Sequence, residues 1–194
     1  GQKYWLKGLG YYDAGSRSFY SKKRPIEHPD DLEGLKIRVM ESVTAIEMVN
    51  SFGGSPTPIS WGELYTSLQQ GVVDGAENNP PSFYLSRHYE VCKYYSLNEH
   101  TFSPDVLVAG THFWDKLSTQ EQAWLKEVVD NSIAYQRKLW AEVEAEALHE
   151  VKKSGVKIIR PDKEPFMKRA EKVYEQYKSE KELYPIIQQI QTMQ

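Results

Sequence analysis

The chain has 194 residues, with 24 basic and 27 acidic side chains and a net charge of −3, a balance that argues against a general nucleic-acid binder. Its 40% hydrophobic and 26% charged residues are ordinary for a globular protein of one large or two small domains, and no apolar run approaches the ~18 residues of a membrane span. The single cysteine, Cys92, excludes an intramolecular disulfide.

In chain order, the short basic cluster Lys22-Lys23-Arg24, closed at once by Pro25, reads as a solvated loop. Gly34-Leu35-Lys36-Ile37-Arg38-Val39 is a short β-like run. Ser42 then caps a helix whose Ala45, Ile46, Val49 and Phe52 share one face and which stops at Gly53-Gly54. Ser55-Pro56-Thr57-Pro58-Ile59 is extended, and its two prolines place it at a sheet edge. Ser60-Trp61-Gly62-Glu63 has the spacing of a capping box and opens a helix that closes at Gly71. Val72 to Glu77 reads as a third strand. The pattern is βαβαβ, which predicts a parallel sheet with right-handed crossovers.

Further on, Ser82 to about Tyr89 is helix-like, and Tyr94–Leu97 and Val106–Ala109 are strand-like. Ser118-Thr119-Gln120-Glu121 is a second capping box. It starts a helix with apolar Trp124, Val128, Ile133, Leu139, Trp140, Val143, Ala147 and Val151, which ends near Gly155. Roughly 35 residues at ~1.5 Å each give about 50 Å, longer than one small domain is wide, so the helix is expected to serve two lobes. Val156–Ile159 is a strand, and Pro165 to about Lys178 is a last amphipathic helix with Phe166, Ala170, Val173 and Tyr177 on one side.

Ligands of open parallel sheets bind beyond the carboxyl ends of the strands. Here those ends are Arg38 to Ser42, Ile59 to Trp61, and Glu77 to Asn79. They supply a guanidinium, two helix N-termini, an indole, and a carboxylate beside two amides, a set suited to a small polar anion. The alternative is that Arg38 is a surface arginine and the Asn pair only turns the chain. No G-x-S-x-G or P-loop is present, and in the stretch after Gly8-Leu9-Gly10 Asp13 stands where a dinucleotide fingerprint needs its third glycine. His88 and Cys92 are four residues apart, but two ligands make a weak metal motif, and neither a metal nor a cofactor is expected. His100 and His112 have no partner at any signature spacing.

Three stretches carry a resemblance: Asp74-Gly75-Ala76-Glu77-Asn78-Asn79-Pro80-Pro81-Ser82 with Arg87-His88-Tyr89-Glu90, the run Leu32 to Val39, and Tyr11-Tyr12-Asp13-Ala14-Gly15-Ser16-Arg17-Ser18-Phe19. Together with Phe113 to Ser118 they resemble the solute receptors of tripartite ATP-independent periplasmic (TRAP) transporters, the dicarboxylate-binding-protein-like family. The resemblance implies an α/β periplasmic-binding-protein-like fold of two lobes closing on a ligand, here incomplete, with a long inter-lobe helix. Residues 1–94 are then mostly lobe two, 95–117 a returning segment of lobe one, 118–154 the shared helix, and 155–194 the C-terminal strand and helices. It also implies that Arg38 pairs with the ligand carboxylate, that Arg17 supplies a second arginine, and that Asn78 contacts the ligand. Trp61, Glu77 and Asn79 enter from the strand-end rule.

Set against the resemblance, the chain is expected to lack the complete N-terminal lobe and signal peptide that such receptors begin with, since Gly1 to Trp5 has neither a charged start nor an apolar middle. Exposed lobe-one strand edges would then invite homodimerisation. The Tyr11–Tyr20 and Ala76–Ser82 stretches look like the branch that binds hexuronates such as glucuronate, delivered in the periplasm to membrane permease subunits. A C4-dicarboxylate or keto-acid receptor, a non-binding dimer, and an enzyme using Glu77 as base are the alternatives.

Overall fold

The computed structural model describes residues 4–192, so Gly1 to Lys3 of the opening segment and the last two residues lie outside it. In chain order the elements are β1 (Leu6–Tyr12), β2 (Ser16–Ser21), β3 (Lys36–Val39), α1 (Val43–Ser51), β4 (Ser55–Pro58), α2 (Trp61–Gln70), β5 (Gly75–Asn78), α3 (Pro80–Leu85) and α4 (His88–Val91). Then come β6 (Tyr94–Phe102), β7 (Asp105–Gly110), α5 (Thr111–Trp114), α6 (Thr119–Lys153), β8 (Lys157–Ile159), α7 (Glu164–Gln176) and α8 (Tyr184–Gln191).

Six strands form one mixed sheet of order β4-β3-β5-β2-β6-β8. Its β3-α1-β4-α2-β5 portion is the expected βαβαβ unit, with β3 parallel to both neighbours. The proline-bearing β4 is the edge strand, where a missing N–H costs no ladder bond. Between β5 and β6 the sheet takes in β2, antiparallel to both. Side chains alternate across it. Phe19, Ile37 and Val39 join Leu32, Val49, Phe52 and Phe166 on one face, under α1 and α7. Tyr20, Ala76 and Tyr95 join Leu64, Leu68, Phe83 and Val151 on the other, under α2, α3 and α6.

The local signals fared unevenly. Ser118 and Glu121 form a reciprocal capping box on α6, whereas Ser60 makes no bond to the α2 backbone with its side chain and instead donates to Glu63 Oε2 at 2.6 Å. The third strand begins at Gly75 rather than Val72, because Val73 turns into the core and Asp74 Oδ2 accepts the Lys36 amide at 2.9 Å. The helix expected from Ser82 to Tyr89 is two short helices, broken where Arg87 takes φ 57°. On α6, Ala147 and Val151 are buried, but Trp124 and Val128 are 59% and 63% exposed.

β1 pairs with β7 in a separate two-stranded antiparallel sheet. The amino-terminal half of α6 lies against it, with Tyr12 Oη bonded to Ser132 Oγ at 2.8 Å. Gln136 clasps the backbone of Asp13, accepting its N–H at 2.9 Å and donating to its carbonyl at 2.8 Å. One helix therefore touches both sheets. Trp5, Tyr11, Val106, Val108 and Phe113, in or next to this small sheet, are apolar and solvent-facing, as are Trp124 and Val128 on α6.

Gly75 opens β5 with no room for a side chain: a Cβ there would stand 2.3 Å from the Tyr20 carbonyl oxygen. Gly75→Ala should therefore destabilise the fold by about 3 kcal/mol in denaturant unfolding. Gly62→Ala, whose Cβ meets open space in α2, should be neutral or stabilising. Equal effects of the two would show that the β2–β5 approach is not tight.

Candidate functional site

Arg38 is the third residue of β3 and alternates away from Ile37 and Val39 toward the face that carries Tyr20. The residue is 3% exposed. Its Nε donates to the Ile59 carbonyl at 2.8 Å, which fixes the guanidinium at the end of the strand. Nη1 is buried and has no hydrogen-bond partner among the described residues. Trp61, the first residue of α2 and 44% exposed, places its ring 5.7 Å from the Arg38 Cζ. Burial lowers the Arg38 pKa from its ordinary value, with Tyr20 and Glu77 opposing, yet an arginine stays charged. A buried cation with an open donor is costly unless an anion completes it.

Arg17, on β2, is committed differently. Its Nε and Nη2 hold the Glu77 carboxylate in a fork at 2.5 and 2.7 Å. Nη2 also reaches the Glu77 carbonyl at 3.0 Å, and Nη1 reaches Asn78 Oδ1 at 2.9 Å. Glu77 is 2% exposed. Burial pushes its carboxyl up, but His100 and Arg17 outweigh that and hold it below the ordinary carboxylate range. Asn78 Oδ1 accepts the Asn79 N–H as well, and its carbonyl accepts from Tyr95 Oη. Asn79 is spent on structure: Oδ1 caps α3 through Ser82 N at 2.8 Å, and Nδ2 donates to the Ala14 carbonyl.

Two further residues belong to this neighbourhood. His100 Nε2 lies 3.6 Å from Glu77 Oε2, beyond hydrogen-bond reach, with its ring stacked on Phe19 at 4.2 Å. It arrives there through the irregular pairing of β2 with β6, where the register jumps between Arg17 and Phe19 and Glu99 takes φ 49°. No spacing in the sequence announces that. His88 is buried beneath Trp61, and its Nδ1 lies 2.9 Å from Tyr20 Oη. Burial, with the charge of Arg38 adding, holds the imidazole down at about 4. Its sequence neighbour in the metal-like spacing, Cys92, is buried with its thiol pushed up to about 12 by desolvation, so both side chains serve the core. A cavity of about 460 Å³ lies between β6 and α7, with His100 and Ser16 in its wall beside Phe52, Asn98, Phe166 and Tyr174; neither arginine lines it.

The arrangement sets one buried guanidinium with an unpartnered donor beside a half-exposed indole, backed by a neutralised arginine–glutamate pair. It fits a carboxylate on a compact polar body. The model of the DctP family, bacterial extracellular solute-binding protein family 7, matches residues 2–181. The chain belongs to that family.

This family 7 chain is 41% identical over 186 residues to the uncharacterised protein YiiZ of Salmonella typhimurium, covering 95% of this chain and 57% of that protein. A solved TRAP periplasmic solute-binding protein from Sulfitobacter sp. NAS-14.1, with bound β-D-galacturonate, matches with TM-score 0.88 and 41% identity over 95% of this chain and 61% of its own. Another from Chromohalobacter salexigens, with bound D-glucuronate, matches with TM-score 0.94 and 38% identity over all of this chain and 65% of its own. The family 7 chain thus spans about three fifths of the length of these relatives, with the mixed α/β architecture of their fold.

Proposed function

We propose that the protein carrying this chain is an extracytoplasmic receptor that binds a hexuronate such as glucuronate or galacturonate and delivers it, chemically unchanged, to a TRAP-type membrane permease. The observation that carries this reading is the unpartnered Nη1 of Arg38 beside Trp61, at the carboxyl end of a parallel strand. The ligand carboxylate pairs with the Arg38 guanidinium, whose buried Nη1 has no partner among the described residues. The pyranose ring lies over Trp61, and Asn78 faces its hydroxyls. The bound sugar acids of the two solved neighbours support the ligand class.

Glu77 does not select against a second carboxylate here, because Arg17 already balances its charge. Discrimination between a uronate and a linear dicarboxylate falls instead to the flat indole of Trp61.

Thermal unfolding of the full-length gene product, with glucuronate, galacturonate, succinate and pyruvate in turn, tests the reading. A ligand at 100 times its dissociation constant adds ~2.7 kcal/mol to stability, a midpoint shift of several degrees. We expect the largest shift from a hexuronate, and unchanged glucuronate after incubation. A larger shift from succinate, or conversion of the sugar acid, overturns it.

A further inference from the structure

Trp61 is the first residue of its helix and nearly half exposed, a position in which an indole has little of its own to hold it. What lies under it is a ring. The His88 imidazole centroid is 5.2 Å from that of Trp61 at 64°, an edge-on contact. On its other sides His88 meets Tyr65 at 6.5 Å and Tyr20 at 5.6 Å. Among the described residues the buried Tyr20 hydroxyl has one hydrogen-bond partner, His88 Nδ1. Tyr20 Oη is held far from ionisation by burial, so it donates and Nδ1 accepts, which leaves the proton of the neutral ring on Nε2. The imidazole is thereby fixed in both orientation and tautomer by a group in the centre of the sheet.

The geometry points to His88 as the positioning residue that holds the Trp61 indole against Arg38, and so sets how well the receptor prefers a sugar acid to a linear diacid. The inference rests on the reading of Arg38 and Trp61 as the hexuronate site. His88 does not need to touch the ligand. It gives the indole a rigid floor, and its neutrality keeps a second cation away from Arg38. A histidine suits the place because one face of its ring can serve Trp61 while Nδ1 satisfies a buried phenol that would otherwise be orphaned.

Two substitutions separate this role from a plain core role. His88→Asn keeps an acceptor near Nδ1 for Tyr20 but removes the ring under Trp61. His88→Phe keeps the ring and removes the acceptor. Dissociation constants for glucuronate and succinate are measured by calorimetry on the full-length gene product and both variants, beside their unfolding midpoints. His88→Asn should lose about tenfold of the glucuronate-over-succinate preference, the worth of one well-made aromatic pair. His88→Phe should lose stability yet keep the preference. If His88→Asn keeps the preference, or His88→Phe loses it while folded, the positioning role is wrong. Should one variant fail to fold, the other decides alone. An unsubstituted protein with no preference for glucuronate overturns the hexuronate reading itself, and this inference with it.

Discussion

Arg38→Ala should weaken hexuronate binding by about a hundredfold, equivalent to about 2.7 kcal/mol, while leaving the unliganded fold as stable as before. The loss follows from the removal of a charge-assisted pair of hydrogen bonds, each worth roughly 1.5–3 kcal/mol when one partner is ionised. The unchanged stability follows from what Arg38 does without ligand: Nη1 is buried and unpartnered, and only Nε is bonded, to the Ile59 carbonyl. Deleting such a group removes a desolvation cost along with one hydrogen bond. Arg38→Lys should recover only part of the affinity, because an ammonium cannot present two parallel donors. Calorimetric titration beside an unliganded melt reads both quantities. A variant that binds normally, or that unfolds several degrees early without ligand, would make Arg38 a structural residue.

Glu77→Ala should act in the opposite sense, destabilising the fold by about 3–5 kcal/mol, because it strands the Arg17 guanidinium without its partner. The paired replacement Arg17→Met with Glu77→Leu should cost less than Glu77→Ala alone, since it leaves no orphaned charge. The pH dependence carries a definite sign. The folded Glu77 carboxyl titrates below its ordinary 4.5, so its stabilising contribution is fully present above that value and disappears as pH falls through the folded value. Urea unfolding at neutral pH and in acid should show this slope in the parent protein and lose it in Glu77→Ala. A cost under about 1 kcal/mol at neutral pH, the worth of a solvent-exposed pair, would mean the ion pair is not buried in solution.

These opposite expectations for two neighbouring charges show what was legible in the sequence and what was not. The β3-α1-β4-α2-β5 unit could be read because each boundary is marked locally: Ser42 caps α1, paired glycines end it, two prolines mark the edge strand, and Gly71 closes α2 in the left-handed region at φ 76°. The strand-end rule then found Arg38 and Trp61 together. β1 was not marked, since Leu6–Tyr12 carries two glycines and its partner strand begins at Asp105, far along the chain. Arg17 and Glu77 were each expected to face the ligand. They face each other because β2 inserts beside β5, with Phe19 opposite Glu77, and nothing local in either strand announces that neighbour. Asn79 entered from the strand-end rule, yet its side chain caps α3. His100 had no motif, and the weak metal-like spacing of His88 with Cys92 pointed away from its place, because their positions arise from an irregular strand pairing and a ring contact.

The most direct test is a structure of the full-length gene product with D-glucuronate. The expected result is a carboxylate oxygen within hydrogen-bond distance of Arg38 Nη1, the sugar ring over Trp61, and the Arg17–Glu77 fork unbroken. A carboxylate held by Arg17 with Glu77 displaced, or a sugar bound away from Arg38 altogether, would contradict the account.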